Sequence, residues 1–276
     1  MKRKRRRIKW KNVIIALIML ICIITLCISI INIIKWKKDS NKTNNQIDKI
    51  QEVTSINEVK DTEDIEIIEQ EEEIEETDPY WDYIKMNLID VDFTELKLIN
   101  NQTKGWIQVS GTNINYPFVQ TKDNDYYLTH SFDKSYNGAG WVFLDYRNNI
   151  DNMDKNTIIY AHGRYDNTMF GTLLKTLDKI WFNNTENYIV KLSTEKENTL
   201  WQVFSIYRIP NTNDYIQTEF YNEEEFENFA NMLLDRSIHN FNTNISKNDN
   251  ILTLSTCYND DEKVVLHAKL IKRSLR

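Results

Sequence analysis

Asn250-Ile-Leu-Thr-Leu-Ser-Thr-Cys257 is an apolar, β-branched run that stops abruptly at a cysteine. Residues of this kind over this length read as a strand. A strand that ends in cysteine delivers a thiol to a loop, where a rigid scaffold presents reactive groups. The run alone leaves two outcomes open. Cys257 is a nucleophile, or it is one of the many cysteines buried as small apolar residues. What decides between them is where the chain sends the thiol and what it places beside it.

The chain has 276 residues and a net charge of −7, spread unevenly. Residues 1–38 hold eleven Lys/Arg and no acid, whereas residues 39–78 hold fifteen Asp/Glu against three Lys. Residues 13–34 form a 22-residue apolar run with only Thr25, Ser29 and Asn32 as polar interruptions. As a helix this run is ~33 Å long, enough for a hydrocarbon core of roughly 30 Å. A cleaved signal peptide has a shorter apolar region of about 7–15 residues and a small-residue cleavage site, and neither is present. Eight basic residues precede the run and three follow it closely. The positive-inside bias therefore keeps the N-terminus cytoplasmic and places the remainder outside the cell membrane, which the chain crosses once.

The sequence thus divides into a basic cytoplasmic tail (1–12), a transmembrane anchor (13–34), an acidic extracellular stalk (35–78) and a globular domain (79–276). In the stalk, like charges repel and extend the chain, with transient helix around Ile65, Ile68 and Ile74. The mildly acidic globular part offers no electrostatic footprint for nucleic acid. Of the three cysteines, Cys22 and Cys27 fall inside the anchor, so Cys257 is the one exported thiol. A leftover cysteine with no intramolecular partner is the pattern of a free reactive thiol, although burial remains the alternative.

Around Cys257 the domain reads as β-rich. Short apolar runs at 106–109, 114–120, 141–146, 157–161, 188–192, 200–208, 251–256 and 264–271 are separated by Asn, Gly and Asp. Eight such runs argue for a closed barrel or a sandwich. Asp92-Phe-Thr-Glu95 fits a helix start with Leu96 and Ile99 on a buried face. Helices are also expected at 169–177 and 223–237, the latter burying Phe226, Phe229, Ala230 and Leu233 at helical spacing behind an acidic first turn.

A cysteine nucleophile needs a base or an electropositive neighbour, because an unperturbed thiol has a pKa of about 8.5. Four histidines are available. His130 and His239 lie in polar loop sequence and read as surface residues. His267 alternates with Val265 in a strand and reads as barrel wall. His162 ends the apolar strand Thr157-Ile-Ile-Tyr-Ala161 and opens the loop Gly163-Arg-Tyr-Asp-Asn167, the kind of strand exit at which reactive groups are presented.

Tyr160-Ala-His162, Asn167-Thr-Met-Phe170 and Thr253-Leu-Ser-Thr-Cys257 resemble the signature blocks of class B sortases. The likeness covers roughly residues 79–276, with Gly111-Thr-Asn-Ile-Asn-Tyr-Pro117, Asp123-Asn-Asp-Tyr-Tyr-Leu128 and Phe143-Leu-Asp-Tyr-Arg147 in the family's order. It implies a mostly β fold, an eight-stranded sortase-type barrel with peripheral helices behind a transmembrane helix. The implied activity is that of a membrane-anchored cysteine transpeptidase of Gram-positive cell surfaces. Such an enzyme cleaves a C-terminal sorting motif of secreted proteins after Thr and passes the acyl group to an amine of peptidoglycan or a pilin. Carried over by resemblance, Cys257 is the nucleophile and His162 the acid/base. Ser255 matches a substrate-contacting serine, and Asn124, Leu128, Tyr160, Tyr215 and Ile216 match groove positions.

The family's arginine at the start of the last strand is replaced by Lys263, which keeps the charge but loses the planar fork. Arg208, at the end of another strand, is the alternative source of a guanidinium. No cofactor is implied, and no His/Cys/Asp cluster has metal-ligand spacing. Two rival readings remain: a catalytically impaired sortase-like module that binds surface proteins, and a cysteine protease of the cell envelope.

Overall fold

The computed structural model describes residues 9–59, 65–68, 70, 74–259 and 261–276. The chain forms two compact units, residues 1–42 and 43–276. The first is the greater part of a helix, α1 (Trp10–Val53), whose apolar stretch is long enough to cross a membrane and is buried nowhere against protein. An isolated helix with large aliphatic side chains on every face is what a lipid environment accommodates.

In the second unit, the last turns of α1 precede strands β1 (Ile56–Val59), β2 (Ile65–Ile67), β3 (Leu88–Val91), β4 (Thr103–Val109), β5 (Asn115–Val119) and β6 (Phe143–Leu144). Then come β7 (Asn156–Tyr160), β8 (Ile189–Thr194), β9 (Glu197–Pro210), β10 (Ile251–Cys257) and β11 (Glu262–Leu275). Among the described residues four further α-helices intervene: α2 (Tyr80–Tyr83), α3 (Thr94–Ile99), α4 (Lys179–Phe182) and α5 (Glu223–Asp235). The hydrogen-bonded order β10-β7-β6-β5-β4-β8-β9-β11 closes on itself because β11 also pairs with β10. The result is the expected closed eight-stranded barrel, mostly β, with helices at its periphery. All eight β runs expected from the sequence map onto its strands, and closure gives each of the eight a neighbour on both sides.

Two apolar layers hold the barrel. Inward residues, among them Ile107, Phe118, Ile159, Leu252, Leu254 and Leu266, fill its interior. Ile251 and Val265 face outward from β10 and β11, under Phe226, Phe229, Ala230 and Leu233 of α5. Burying each large side chain of this kind contributes roughly 1.5–3 kcal/mol. Helix α5 starts where the sequence predicts because Asn222 Oδ1 accepts from Glu225 N at 2.8 Å, while three glutamates occupy the first turn.

Four local expectations differ from the structure. The stretch read as an extended stalk holds the end of α1 and two strands: β1 pairs with β3, and β2 adds to β11 where β11 outruns β10. The acidic composition hid an Ile-Glu-Ile alternation in which Glu66 faces solvent and pairs with Arg273 at 2.8 Å; the helix expected around Ile65 is therefore a strand. Residues 60–64, 69 and 71–73 of that stretch lie outside the described residues. The helix expected at 169–177 is a 3-10 helix from Gly171 to Leu177, and Met169 at φ +52° cannot belong to a right-handed helix. The run 141–146 pairs over only two residues. In α3, Leu96 is buried but Ile99 is 40 % exposed, because six residues present only one turn to the core.

Candidate active site

The site follows from strand register. Strands β7 and β10 are parallel, with Tyr160 beside Ser255 as the last pair; continuing that register two residues past the end of β7 puts His162 level with Cys257. The antiparallel β10–β11 ladder puts Cys257 opposite Lys263, Ser255 opposite Val265 and Thr253 opposite His267. Side chains two apart share a face. The outer face of the barrel therefore carries three rows across β7, β10 and β11: His162, Cys257 and Lys263; then Tyr160, Ser255 and Val265; then Ile158, Thr253 and His267.

The two lower rows are roofed by α5 and the segment before it. Tyr215 is buried, and its hydroxyl shares a hydrogen bond with Ser255 Oγ at 2.9 Å. Burial pushes the Tyr215 phenol up to about 12. Below it, His267 is wholly buried, between Tyr207 Oη at 2.8 Å and Thr253 Oγ1 at 2.9 Å. Thr253 donates onward to Asn156 Oδ1 at 2.6 Å, and Asn156 Nδ2 donates to the carbonyls of Tyr215 and Gln217. Burial, with a smaller contribution from Arg236, pushes His267 down to about 3, so the ring is a neutral strut. The barrel-wall expectation for His267 matches this placement.

The first row is open to solvent, and in the row below it Tyr160 is part-exposed. Cys257 is exposed and His162 and Lys263 are half-buried. The inert buried cysteine left open by the sequence is therefore excluded by position. His162 Nε2 lies 2.8 Å from the Leu128 carbonyl oxygen. A carbonyl only accepts, so Nε2 carries the proton, and in the neutral ring Nδ1 is the nitrogen able to take one from a thiol. His162 also opens a tight loop: its carbonyl accepts from Phe170 N at 3.0 Å. Gly163 makes the close approach of the two strand ends possible, since a Cβ there would lie 2.3 Å from the Cys257 carbonyl oxygen.

The remaining expected groove residues gather on the β7 side. Tyr160 Oη donates to Asp145 Oδ2 at 2.9 Å, Asn124 Nδ2 donates to the same oxygen at 3.0 Å, and the Ile216 carbonyl accepts from Arg147 Nη2 at 3.0 Å. Asn124, Leu128, Tyr160 and Ile216 are part-exposed, whereas Ser255 and Tyr215 lie beneath the surface. Burial alone would raise the Asp145 carboxyl, but hydrogen bonds from Arg147 and Tyr160 outweigh it and hold the group below the usual range.

Arg208 is not brought to the cysteine's face. It is in register with Val264, one place out of phase with Lys263. Its Nε pairs with Glu262 at 3.1 Å, and its guanidinium lies over the Tyr258 ring at 4.7 Å. His130 and His239 are half-buried rather than free at the surface: they stack on Tyr126 and Phe182 at 4.0 and 4.2 Å and bond to the carbonyls of Tyr126 and Leu177. Their polar sequence context hid these aromatic partners. Sequence reasoning assigned no role to Asp145, Arg147 or Gly163. The Asp-Tyr-Arg spacing that lets Arg147 fold back onto Asp145 was the available signal.

A closed barrel with an exposed cysteine at the end of one strand, a histidine two residues past the end of its parallel neighbour and a lysine across the ladder is the arrangement expected of a cysteine-nucleophile acyl-transfer enzyme. The family model described as a sortase domain matches residues 107–271. Sortase B of Staphylococcus aureus is 36% identical over 186 residues, covering 66% of this chain and 75% of that protein. Two solved structures superpose on the barrel. A Staphylococcus aureus sortase B–substrate complex has a TM-score of 0.61 at 35% identity, covering 65% of this chain and 84% of that one. A sortase B complexed with triglycine has a TM-score of 0.62 at 35% identity, covering 65% and 85%. The chain belongs to the sortase family, in its class B branch, and is a cysteine transpeptidase.

Proposed function

We propose that this transpeptidase is anchored in the cell membrane by residues 13–34, with its N-terminus cytoplasmic. Outside the cell it cleaves a C-terminal sorting signal of secreted proteins after threonine. The observation that carries the reading is the solvent-facing row of His162, Cys257 and Lys263 above a roofed barrel face.

His162 Nδ1 takes the thiol proton, and Sγ of Cys257 attacks the threonine carbonyl. The carbon–nitrogen bond breaks, the leaving amine receives the proton from His162, and a thioester remains on Cys257. An incoming amine then gives its proton to His162 and attacks the thioester, so that the carbon–sulfur bond breaks and an amide forms. Lys263, opposite the nucleophile, supplies the positive charge for the developing oxyanion. Asn124, Leu128, Tyr160 and Ile216 line the peptide groove, while Ser255 and Tyr215 support it from beneath. The acceptor is an amine of peptidoglycan or of a pilin. A triglycine complex of a sortase B supports a small peptide amine, and a sortase B–substrate complex supports recognition of a substrate by this fold.

The test is a library of peptides with a fixed threonine, presented to the full-length protein in detergent with and without triglycine. Cleavage after threonine that is diverted from acid to amide by triglycine is the expected result. Cleavage that ignores the amine would make the protein a cell-envelope protease instead.

A further inference from the structure

We propose that Asp145 is a positioning residue for the peptide groove, setting both its shape and its hydrogen-bond polarity; this inference rests on the transpeptidase reading above. The Asp145 side chain is fully buried at the end of β6, on the β7 side of the site. Its Oδ1 accepts from Arg147 N at 2.9 Å and Nε at 2.8 Å. Its Oδ2 accepts from Arg147 Nη2 at 2.7 Å, Tyr160 Oη at 2.9 Å and Asn124 Nδ2 at 3.0 Å. Through the second bond of Arg147 Nη2 the same carboxylate also fixes the Ile216 carbonyl. Three groove residues from three separate segments of chain thus share one anchor. Asn124 is pinned at its other end as well, where Oδ1 accepts from Tyr146 N at 3.0 Å.

The polarity follows from donor and acceptor counting. An ionised carboxylate only accepts, so the Tyr160 hydroxyl proton is committed to Asp145. Toward a bound peptide, Tyr160 then presents lone pairs alone. One N–H of Asn124 is spent on Asp145, which leaves its second N–H as a donor. The groove therefore offers an acceptor at Tyr160 and a donor at Asn124, complementary to a peptide that places an amide N–H against the first and a carbonyl against the second. A neutral residue at 145 would let the tyrosine proton turn outward and would release the Arg147 fork, which is a charge-assisted, bidentate contact.

The experiment compares the full-length wild type with Asp145→Asn on a fluorogenic threonine-containing peptide selected from the library. KM, kcat and the rate of Cys257 alkylation by iodoacetamide are measured. The proposal predicts a KM raised about tenfold or more, kcat within about twofold and unchanged alkylation, the signature of lost ground-state binding rather than lost chemistry. A KM within about twofold of wild type overturns it, as does a parallel fall of kcat and alkylation, which marks a merely structural residue. Should Asp145→Asn fail to give a cooperative melt, Arg147→Lys, at the more exposed end of the network, is read by the same criteria. If Cys257→Ala cleaves the peptide as well as the wild type does, the transpeptidase reading itself fails, and this inference with it; that outcome appears before any groove variant is compared.

Discussion

Lys263 sits opposite Cys257 in the β10–β11 ladder, and the proposed mechanism uses its charge at the carbonyl under attack. A lysine there supplies charge without the two parallel bonds of a guanidinium. Lys263→Ala is expected to lower kcat by about 10²–10³, the usual cost of an oxyanion donor, whereas Lys263→Arg preserves transfer. Steady-state kinetics on one peptide decide this, and full activity in the alanine variant would remove Lys263 from the mechanism. Gly163 makes a second case. An added Cβ collides with the Cys257 backbone, so Gly163→Ala should separate imidazole from thiol and cost about 10² in kcat; activity within about twofold of wild type would show that the strand ends need not approach so closely. At this scale Cys257 and His162 stood out in the sequence because each ends a motif block that begins in a strand. Asp145 did not, because its contacts come from residues 124, 147 and 160 and reach Ile216 only through Arg147.

Helix α5 and the segment 211–222 turn an open sheet face into a site with a floor. They cover Ser255, Thr253 and His267 and leave the first row uncovered. The helix depends on its start: Asn222→Ala removes the side-chain acceptor for Glu225 N and is expected to lower unfolding free energy by about 1 kcal/mol in urea titration. Since Asn222 caps α5 and has no assigned part in the chemistry, kcat should hold. Elements of this kind were readable from period, 3.6 in α5 and 2 in the barrel strands. β1 and β2 were not readable, because glutamates alternating with isoleucine look like a repelling acidic tract until a partner strand is present. The same limit applies to the short β6, whose identity as a strand comes from β5 and β7 on either side.

At the scale of the whole molecule, the chain joins an N-terminal helix long and apolar enough to span a membrane to an acyl-transfer barrel, whose stability should report on the buried strut beneath the site. His267 has a folded pKa depressed from 6.5 to about 3. Between those values the unfolded chain binds a proton that the folded chain refuses, so stability falls as pH drops below about 6.5, by up to about 1.4 kcal/mol per pH unit. Replacing His267 by glutamine should flatten that share of the slope in denaturant titrations from pH 7 to 4.5; an unchanged slope would mean that His267 does not carry it. The central claim is that Cys257, with His162, moves an acyl group from peptide to amine. The measurement that tests it most directly is mass spectrometry of the products formed from a threonine-containing peptide and triglycine by wild type, Cys257→Ala and His162→Ala. A peptide–triglycine amide from wild type alone, accompanied by an acyl adduct on Cys257, is the predicted result. Amide formation that survives Cys257→Ala, or a wild type that yields only free acid at saturating triglycine, would contradict it.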